Sequence, residues 1–566
     1  MLQKKKTPAS SVQSRKPICF DIEGLPPLEQ SGKVYKITAE KVIPVPETQH
    51  GDRLLLPVGE GMVIPVDTHM DGEIFSSDCI ERLCCCGEKT MRMVLIDRGG
   101  KFLLISPADG MNSGYKLCWN GERYHLFMTC SKKMEITYAV FDSLAAACLY
   151  YRQSLPSLPV TLQKKIERTP ALGQLLGGAI FWVWNPCYDQ VMYADTDTYV
   201  SPETGEDMLK IAEDLHKSGV DRALFGIFFE KDSCLTKPLS EKFGYLTTQY
   251  DNYNDVLNPE TLKKIPSNRA RNCDYTQRRM KDYPDGIQIA QDGKPSPAWA
   301  IKGYDGEYYT TDRLCPKVAA QRIREEVPKI LEQYPAYTGR FIDVFGTSLG
   351  ECFSPLHPVS KEACRDIKID AFASLRKMGL VVGTEDGFED IINELDYSEG
   401  LHSPSFFRDS NAGRLHTHTY NEEQTAFCAK YMLDPAHRVP MWHLVYHDCM
   451  MAFPYWGDST EMSPEQIRQK TLFACLYGCP PLYSFSLPDY PKLRKAILDS
   501  YRTISAVHRA VAQLPMTDYA VLTADYAVQR TVFGNRYTVT VNFSRNPYKL
   551  DGVCVKPFDL LFEKCK

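Results

Sequence analysis

Three textures of apolar and polar positions follow one another along the chain. From about Lys33 to Phe141, short aliphatic runs such as Met91–Ile96, Lys101–Ile105 and Met134–Phe141 recur between Gly, Pro and Asp. That spacing predicts a β-sandwich-like domain over residues 17–165, behind a loose Lys-, Ser- and Gln-rich segment, 1–16. From about Ala171 to Phe485, apolar strand patterns alternate with helical ones. Strands are expected at Ala179–Trp184, Arg222–Phe229, Leu246–Tyr250, Arg340–Phe345, Gly379–Gly383, His443–Tyr446 and Leu482–Phe485. Between them, Ser360 caps an amphipathic stretch running to Met378, and Ser463-Pro464-Glu465-Gln466 reads as a capping box leading into a helix through Tyr477.

Alternation of this kind predicts an α/β fold with a parallel sheet. No Gly-rich dinucleotide fingerprint follows the first strand, so a (β/α)8 barrel over residues 166–515 is preferred to a doubly wound sheet. After about Asp518 the period returns to two, with Gly534-Asn535 as a two-residue hairpin signal, which predicts a small carboxy-terminal β domain over 516–566.

Composition narrows the function classes. The chain has 566 residues and a net charge of −5, without the basic excess of a general nucleic-acid binder. Its longest nearly apolar stretch, Ala171 to Trp184, is too short to span a bilayer, and no apolar run follows the basic amino terminus. The 20 cysteines show no metal-ligand spacing; they predict mostly reduced thiols and a cytoplasmic location.

In a (β/α)8 barrel the carboxy ends of the strands carry the chemistry. Asp343 stands within an apolar run, Ile342 to Phe345, so it is either a structural acid paired with Arg340 or a nearby lysine, or a functional one facing a pocket. Glu385 ends the next strand. Neighbouring strands lie about 4.8 Å apart, and two carboxyls on them fit the separation of about 5–5.5 Å that a retaining glycosidase needs. Asp386, before Gly387, suits the turn, which leaves Glu385 to face inward, although Asp386 is the alternative acid.

The strings FIDVFG at Asp343 and VVGTEDG at Glu385, with QYDNYND upstream and VYHDC downstream, resemble glycoside hydrolase family 129. They are similar, more distantly, to the family 101 endo-α-N-acetylgalactosaminidases. The resemblance runs from about Ala179 to Phe485. It implies retaining hydrolysis of α-linked N-acetylgalactosamine, as in mucin-type O-glycans, with Asp343 as nucleophile and Glu385 as acid/base. It further implies that Asp251 holds sugar hydroxyls beside Asn252. A Ca2+ ion near the site is also implied, for which Asp251, Asn254 and Asp255 offer hard oxygen ligands.

Several aromatic and polar residues are candidates to line the pocket. Trp182 and Trp184 share one strand face, as core packing or as a sugar-stacking wall. Trp299 lies in a long insertion, about Pro259 to Asp312, placed where a lid over the site would be. That insertion carries a basic cluster, Arg269, Arg271, Arg278, Arg279 and Lys281. His447 and Asp448, ending a later strand, are expected to touch substrate or a catalytic carboxylate, with Trp456 completing that wall.

Two rival readings differ in kind. His416 and His418 form an HxH pair, followed by His437, His443 and His447, as in a zinc-dependent hydrolase. A non-catalytic glycan-binding barrel would have lost a carboxylate. The sequence therefore predicts a cytoplasmic, retaining, exo-acting α-N-acetylgalactosaminidase acting on glycans or glycopeptides, with an α-galactosidase as the nearest alternative.

Overall fold

The computed structural model describes residues 18–70, 79–82, 89–184, 202–227, 234–264, 280–302, 305, 307–403, 426–455 and 464–565. The amino-terminal segment 1–16, the four arginines of the basic cluster, His416, His418, Trp456 and the Ser463 cap lie outside them, as do the side chains of Trp184 and Trp299.

The amino-terminal domain is one antiparallel sheet of eight strands. Its long strand Tyr124–Phe141 pairs with Val34–Ile43 along one edge, and with Lys101–Pro107 and Ser113–Trp119 along the other. Period-two alternation splits its apolar residues between two cores. Leu54, Leu56, Ile96, Leu103 and Ile105 fill the domain's own interior. Leu55, Leu95 and Leu104 instead join a core that includes Ile323 and Phe372 on two helices of the following barrel.

Eight parallel strands make that barrel: β1 (Ala179–Trp184), β2 (Ala223–Ile227), β3 (Leu246–Asn252), β4 (Gly339–Asp343), β5 (Val381–Glu385), β6 (Tyr397–Glu399), β7 (Met451–Phe453) and β8 (Leu482–Ser486). Their spatial order is β7-β6-β5-β4-β3-β2-β1-β8, so the sheet is nearly closed, with its seam between β7 and β8. Ser360 accepts from the Ala363 amide at the start of the helix Lys361–Lys377, as its capping pattern predicts.

Six predicted strands are present and one is not. His443–Tyr446 belongs to a helix, Met441–Tyr446. All six of its residues are buried, so it lacks the polar positions that reveal a 3.6-residue period. β6 and β7 are three residues each, too short to stand out as apolar runs.

Large rings fill the barrel lumen, and glycines make room for them. A Cβ at Gly226 would lie 2.3 Å from the Trp182 ring, and one at Gly383 would lie 2.0 Å from that of Tyr397. The last described sheet is four-stranded and antiparallel, and its hairpin between Phe533 and Tyr537 turns through three residues, Gly534, Asn535 and Arg536, one more than expected, with Gly534 and Asn535 at φ of 56° and 53°. Of the described cysteines, twelve are free thiols and Cys118 is disulfide-bonded. Among the described residues, no helix is long and apolar enough to cross a membrane.

Candidate active site

Strand register builds the site. In a parallel pair, residues at one level of adjacent strands face the same side. Asn252 of β3 pairs with Asp343 of β4, and Glu385 of β5 pairs with Glu399 of β6. Ile342 pairs with Thr384, so Asp343 and Glu385 are the next residues along their two strands. One row at the carboxy rim therefore carries Asn252, Asp343, Glu385 and Glu399. The layer beneath is apolar: Trp182, Tyr250, Phe341 and Tyr397 belong to one buried cluster inside the barrel.

Both carboxylates are almost fully buried. Tyr250 donates its hydroxyl to Oδ2 of Asp343 at 2.6 Å, and the Asn252 amide lies 3.5 Å from the same oxygen. Burial pushes the Asp343 carboxyl up to about 7, reinforced by the charges of Asp255 and Glu399 and opposed by hydrogen bonds from Tyr250 and Glu385.

The backbone beyond each carboxylate turns sharply. Val344 has φ of 48° and Asp386 has φ of 51°, both left-handed. For a β-branched residue such as Val344 this region is strained, so the surroundings must hold it. Thr384 supplies part of that hold, since its hydroxyl donates to the Ile342 carbonyl (2.8 Å) and accepts from the Gly346 amide (2.9 Å). Asp386 donates its amide to the Glu399 carbonyl and occupies the turn, with Glu385 on the inward-facing row.

Glu399 was not anticipated. It is fully buried, accepts from the Trp182 indole at 3.0 Å, and is pushed well above the ordinary carboxylate range by burial and by Glu385. Tyr250 was missed as well, because β3 is buried throughout and its burial pattern does not show which residues face the lumen. Its alternation with Leu246, another member of the lumen cluster, is the one signal available.

Asp251 is corrected. It points to the outer face of β3, where the Arg340 guanidinium donates to its Oδ2 at 2.8 Å and to Gln249 Oε1 at 2.7 Å. Arg340, considered from sequence as a partner for Asp343, therefore serves Asp251. With Asp251 turned away, the expected calcium ligands do not converge. Asn252 and Asn254 side-chain amides each donate to one oxygen of Asp255, at 2.8 and 3.0 Å, which is an Asx-turn network and not a cation cradle.

His447 and Asp448 are corrected too. They precede β7, so they sit at the amino rim, away from the carboxylates. His447 contacts the carbonyls of Leu514 (2.7 Å) and Gly478 (3.1 Å), and burial and His443 push it down to about 4. Asp448 accepts two bonds from Arg152, at 2.5 and 3.0 Å. The described histidines of the zinc rival disperse as well: His437 turns to Asp434, while His443 faces Glu60 and Cys479. Trp182 lies inside the barrel, edge-on to Tyr250 and Phe341. The strand bearing Trp299, Pro297–Lys302, pairs with Tyr308–Arg313, which in turn pairs with Asp255–Val256 just beyond β3.

The profile of the glycosyl hydrolases related to the GH101 family, GH129, matches residues 214–532. Among solved structures, the ligand-free α-N-acetylgalactosaminidase NagBb from Bifidobacterium bifidum superposes with a TM-score of 0.67 at 17% identity, covering 91% of this chain and 85% of that one. Its complex with GalNAc gives a TM-score of 0.63 at 16% identity, covering 89% and 81%. At these identities the likeness is one of fold. No curated protein sequence matches the chain.

Proposed function

Because this chain belongs to the glycosyl hydrolases of family GH129, an α-glycosidase family, we propose that it is a retaining, exo-acting α-N-acetylgalactosaminidase releasing terminal α-linked N-acetylgalactosamine from mucin-type O-glycans or glycopeptides. The observation that carries the reading is the placement of two buried carboxyls, Asp343 and Glu385, at the same level of adjacent strands. Retaining enzymes hold their two carboxyls about 5–5.5 Å apart and inverting ones about 6.5–9.5 Å, and side chains on neighbouring strands favour the shorter separation. The similarity in fold to NagBb, solved with GalNAc bound, favours the N-acetyl sugar.

In the first step an Asp343 oxygen attacks the anomeric carbon, forming a β-glycosyl ester as the bond to the leaving oxygen breaks. Glu385 gives its proton to that oxygen, which departs as the alcohol. In the second step Glu385 takes a proton from water, the resulting oxygen attacks the anomeric carbon, and the ester bond to Asp343 breaks. Two inversions restore the α-anomer. Tyr250 and Asn252 stabilise the carboxylate that Asp343 regains on departure. The aromatic layer of Trp182, Tyr250 and Phe341 floors the lumen, which suits a pocket that takes one terminal sugar. Asn252, on the carboxylate row, is its proposed wall, and a glycan or glycopeptide is the partner the mechanism requires.

The test is hydrolysis of a chromogenic α-N-acetylgalactosaminide beside the matching α-galactoside, with the first-formed anomer read by NMR. Cleavage of the N-acetyl sugar to the α-anomer, lost by about three orders of magnitude or more in Asp343→Asn and Glu385→Gln, is expected. Cleavage of the galactoside alone would transfer the same mechanism to an α-galactosidase. A β-anomer as first product would refute retention.

A further inference from the structure

Away from the carboxylates, three soft donors meet in a buried space that the glycosidase chemistry does not use. We propose that Cys315, Cys352 and His357 bind a zinc ion that ties the loop after β4 to the insertion after β3. All three side chains are buried, and their ligand atoms lie within 4.8 Å of one another. Cys352 Sγ is 3.4 Å from His357 Nδ1. Zinc holds sulfur at about 2.3 Å and imidazole nitrogen at about 2.0–2.1 Å, so a tetrahedral S···N edge is about 3.5 Å. The spacing already fits.

The surroundings fit as well. His357 turns Nε2 to the Asp285 carbonyl, an acceptor, so the proton resides on Nε2 and the Nδ1 lone pair faces Cys352. A backbone carbonyl behind the ring is the usual outer partner of a metal-bound histidine. Cys315 precedes the first turn of the helix Pro316–Gln333, and the amides of Lys317 and Val318 point at its sulfur and favour thiolate. Two thiolates and one neutral imidazole around Zn2+ carry no net charge, which suits a site with no ion pair of its own. Reciprocal backbone bonds between Cys352 and Val359 (2.8 and 2.9 Å) close the small loop that presents both Cys352 and His357. The three ligands leave a fourth position for a water molecule.

A second buried group, His402, His443 and Cys479, lacks this character. Glu60 already accepts from His402 and from Arg438 there, at 2.5 and 2.6 Å, so charge and hydrogen bonds are met without a cation.

The test is the zinc content of the untagged full chain, produced with zinc supplied and then dialysed. About one zinc per chain is expected. It should be lost in Cys352→Ser and in His357→Ala and kept in Cys479→Ser. Because loss of zinc and loss of fold look alike in those variants, the wild type provides a second readout. Stripped with a chelator, it should melt earlier, recover with zinc, and show thiolate-to-cobalt charge-transfer absorption when Co2+ is added. Wild type without zinc and without that absorption would overturn the proposal. So would zinc retained in a folded Cys315→Ser/Cys352→Ser variant, or a Cys315–Cys352 disulfide in the isolated protein.

Discussion

The Tyr250 hydroxyl donates to Oδ2 of Asp343 across 2.6 Å, joining neighbouring strands β3 and β4 within the lumen. That bond favours the ionised carboxylate, while the nearby charge of Asp255 disfavours it. A nucleophile must be ionised, so kcat/KM of the wild type is expected to fall as pH drops through about 7. The two neighbours should move that limb in opposite directions. Tyr250→Phe raises the Asp343 pKa and shifts the limb to higher pH, whereas Asp255→Asn shifts it lower. Parallel pH–rate profiles of the three proteins check this; shifts of one sign in both variants would contradict it.

The same carboxyl weighs on the fold. Its folded pKa, about 7, lies above the ordinary 3.8, so its contribution to stability is greatest below 3.8 and is lost as pH rises through about 7. Asp343→Asn removes that loss. The variant should melt higher than wild type at pH 8, by an amount on the order of a few kcal/mol, with the advantage shrinking towards pH 4. Thermal melts across that range measure it. A stability gap that is constant with pH would show that Asp343 titrates normally.

Azide separates the two catalytic roles. In Asp343→Gly, azide entering from the vacated side should yield the β-glycosyl azide from an α-substrate, because Glu385 still protonates the leaving oxygen. In Glu385→Ala, with an activated leaving group, the ester on Asp343 still forms and azide should yield the α-glycosyl azide. Exchanged product anomers would exchange the assignments. Asp386→Asn should retain most activity, since Asp386 serves the turn; its collapse would restore Asp386 as the acid.

Asp251 and Arg340 provide a contrast, because both are buried outside the lumen. Asp251→Ala leaves a guanidinium uncompensated and should cost about 3–5 kcal/mol of stability. KM of the enzyme that remains folded should stay near wild type. A large KM increase without loss of stability would return Asp251 to the sugar pocket.

Most of the architecture is legible in the chain because alternation and capping are local signals. β1, β4 and β5 show as apolar runs that end in polar residues, and Ser360 announces its helix. The pairing of Asp343 with Glu385 follows from their places at consecutive strand ends. Facing is harder to read. In β3 every residue is buried, so Tyr250 and Asp251 can exchange sides without changing the pattern, and only the buried Arg340 on the next strand decides. His447 and Asp448 were misplaced because a fully buried helix resembles a strand, which moved them from the amino rim to the carboxy rim. Glu399 ends a strand of three residues. Cys315 and Cys352 are far apart in sequence, and only the fold unites them.

Glu60 rides on a short turn of the amino-terminal domain, flanked by Gly59 and Gly61, where a Cβ would come within 2.1 Å of the Ser403 carbonyl and 2.3 Å of the Val439 carbonyl. The turn delivers the carboxylate that Arg438 and His402 of the barrel share. A barrel cut free of its first domain would hold a guanidinium that has lost its Glu60 partner, a cost comparable to much of the net stability of an ordinary domain. The amino-terminal sheet thus serves as a keystone for charge balance in the barrel, and removing that module is expected to destabilise what remains.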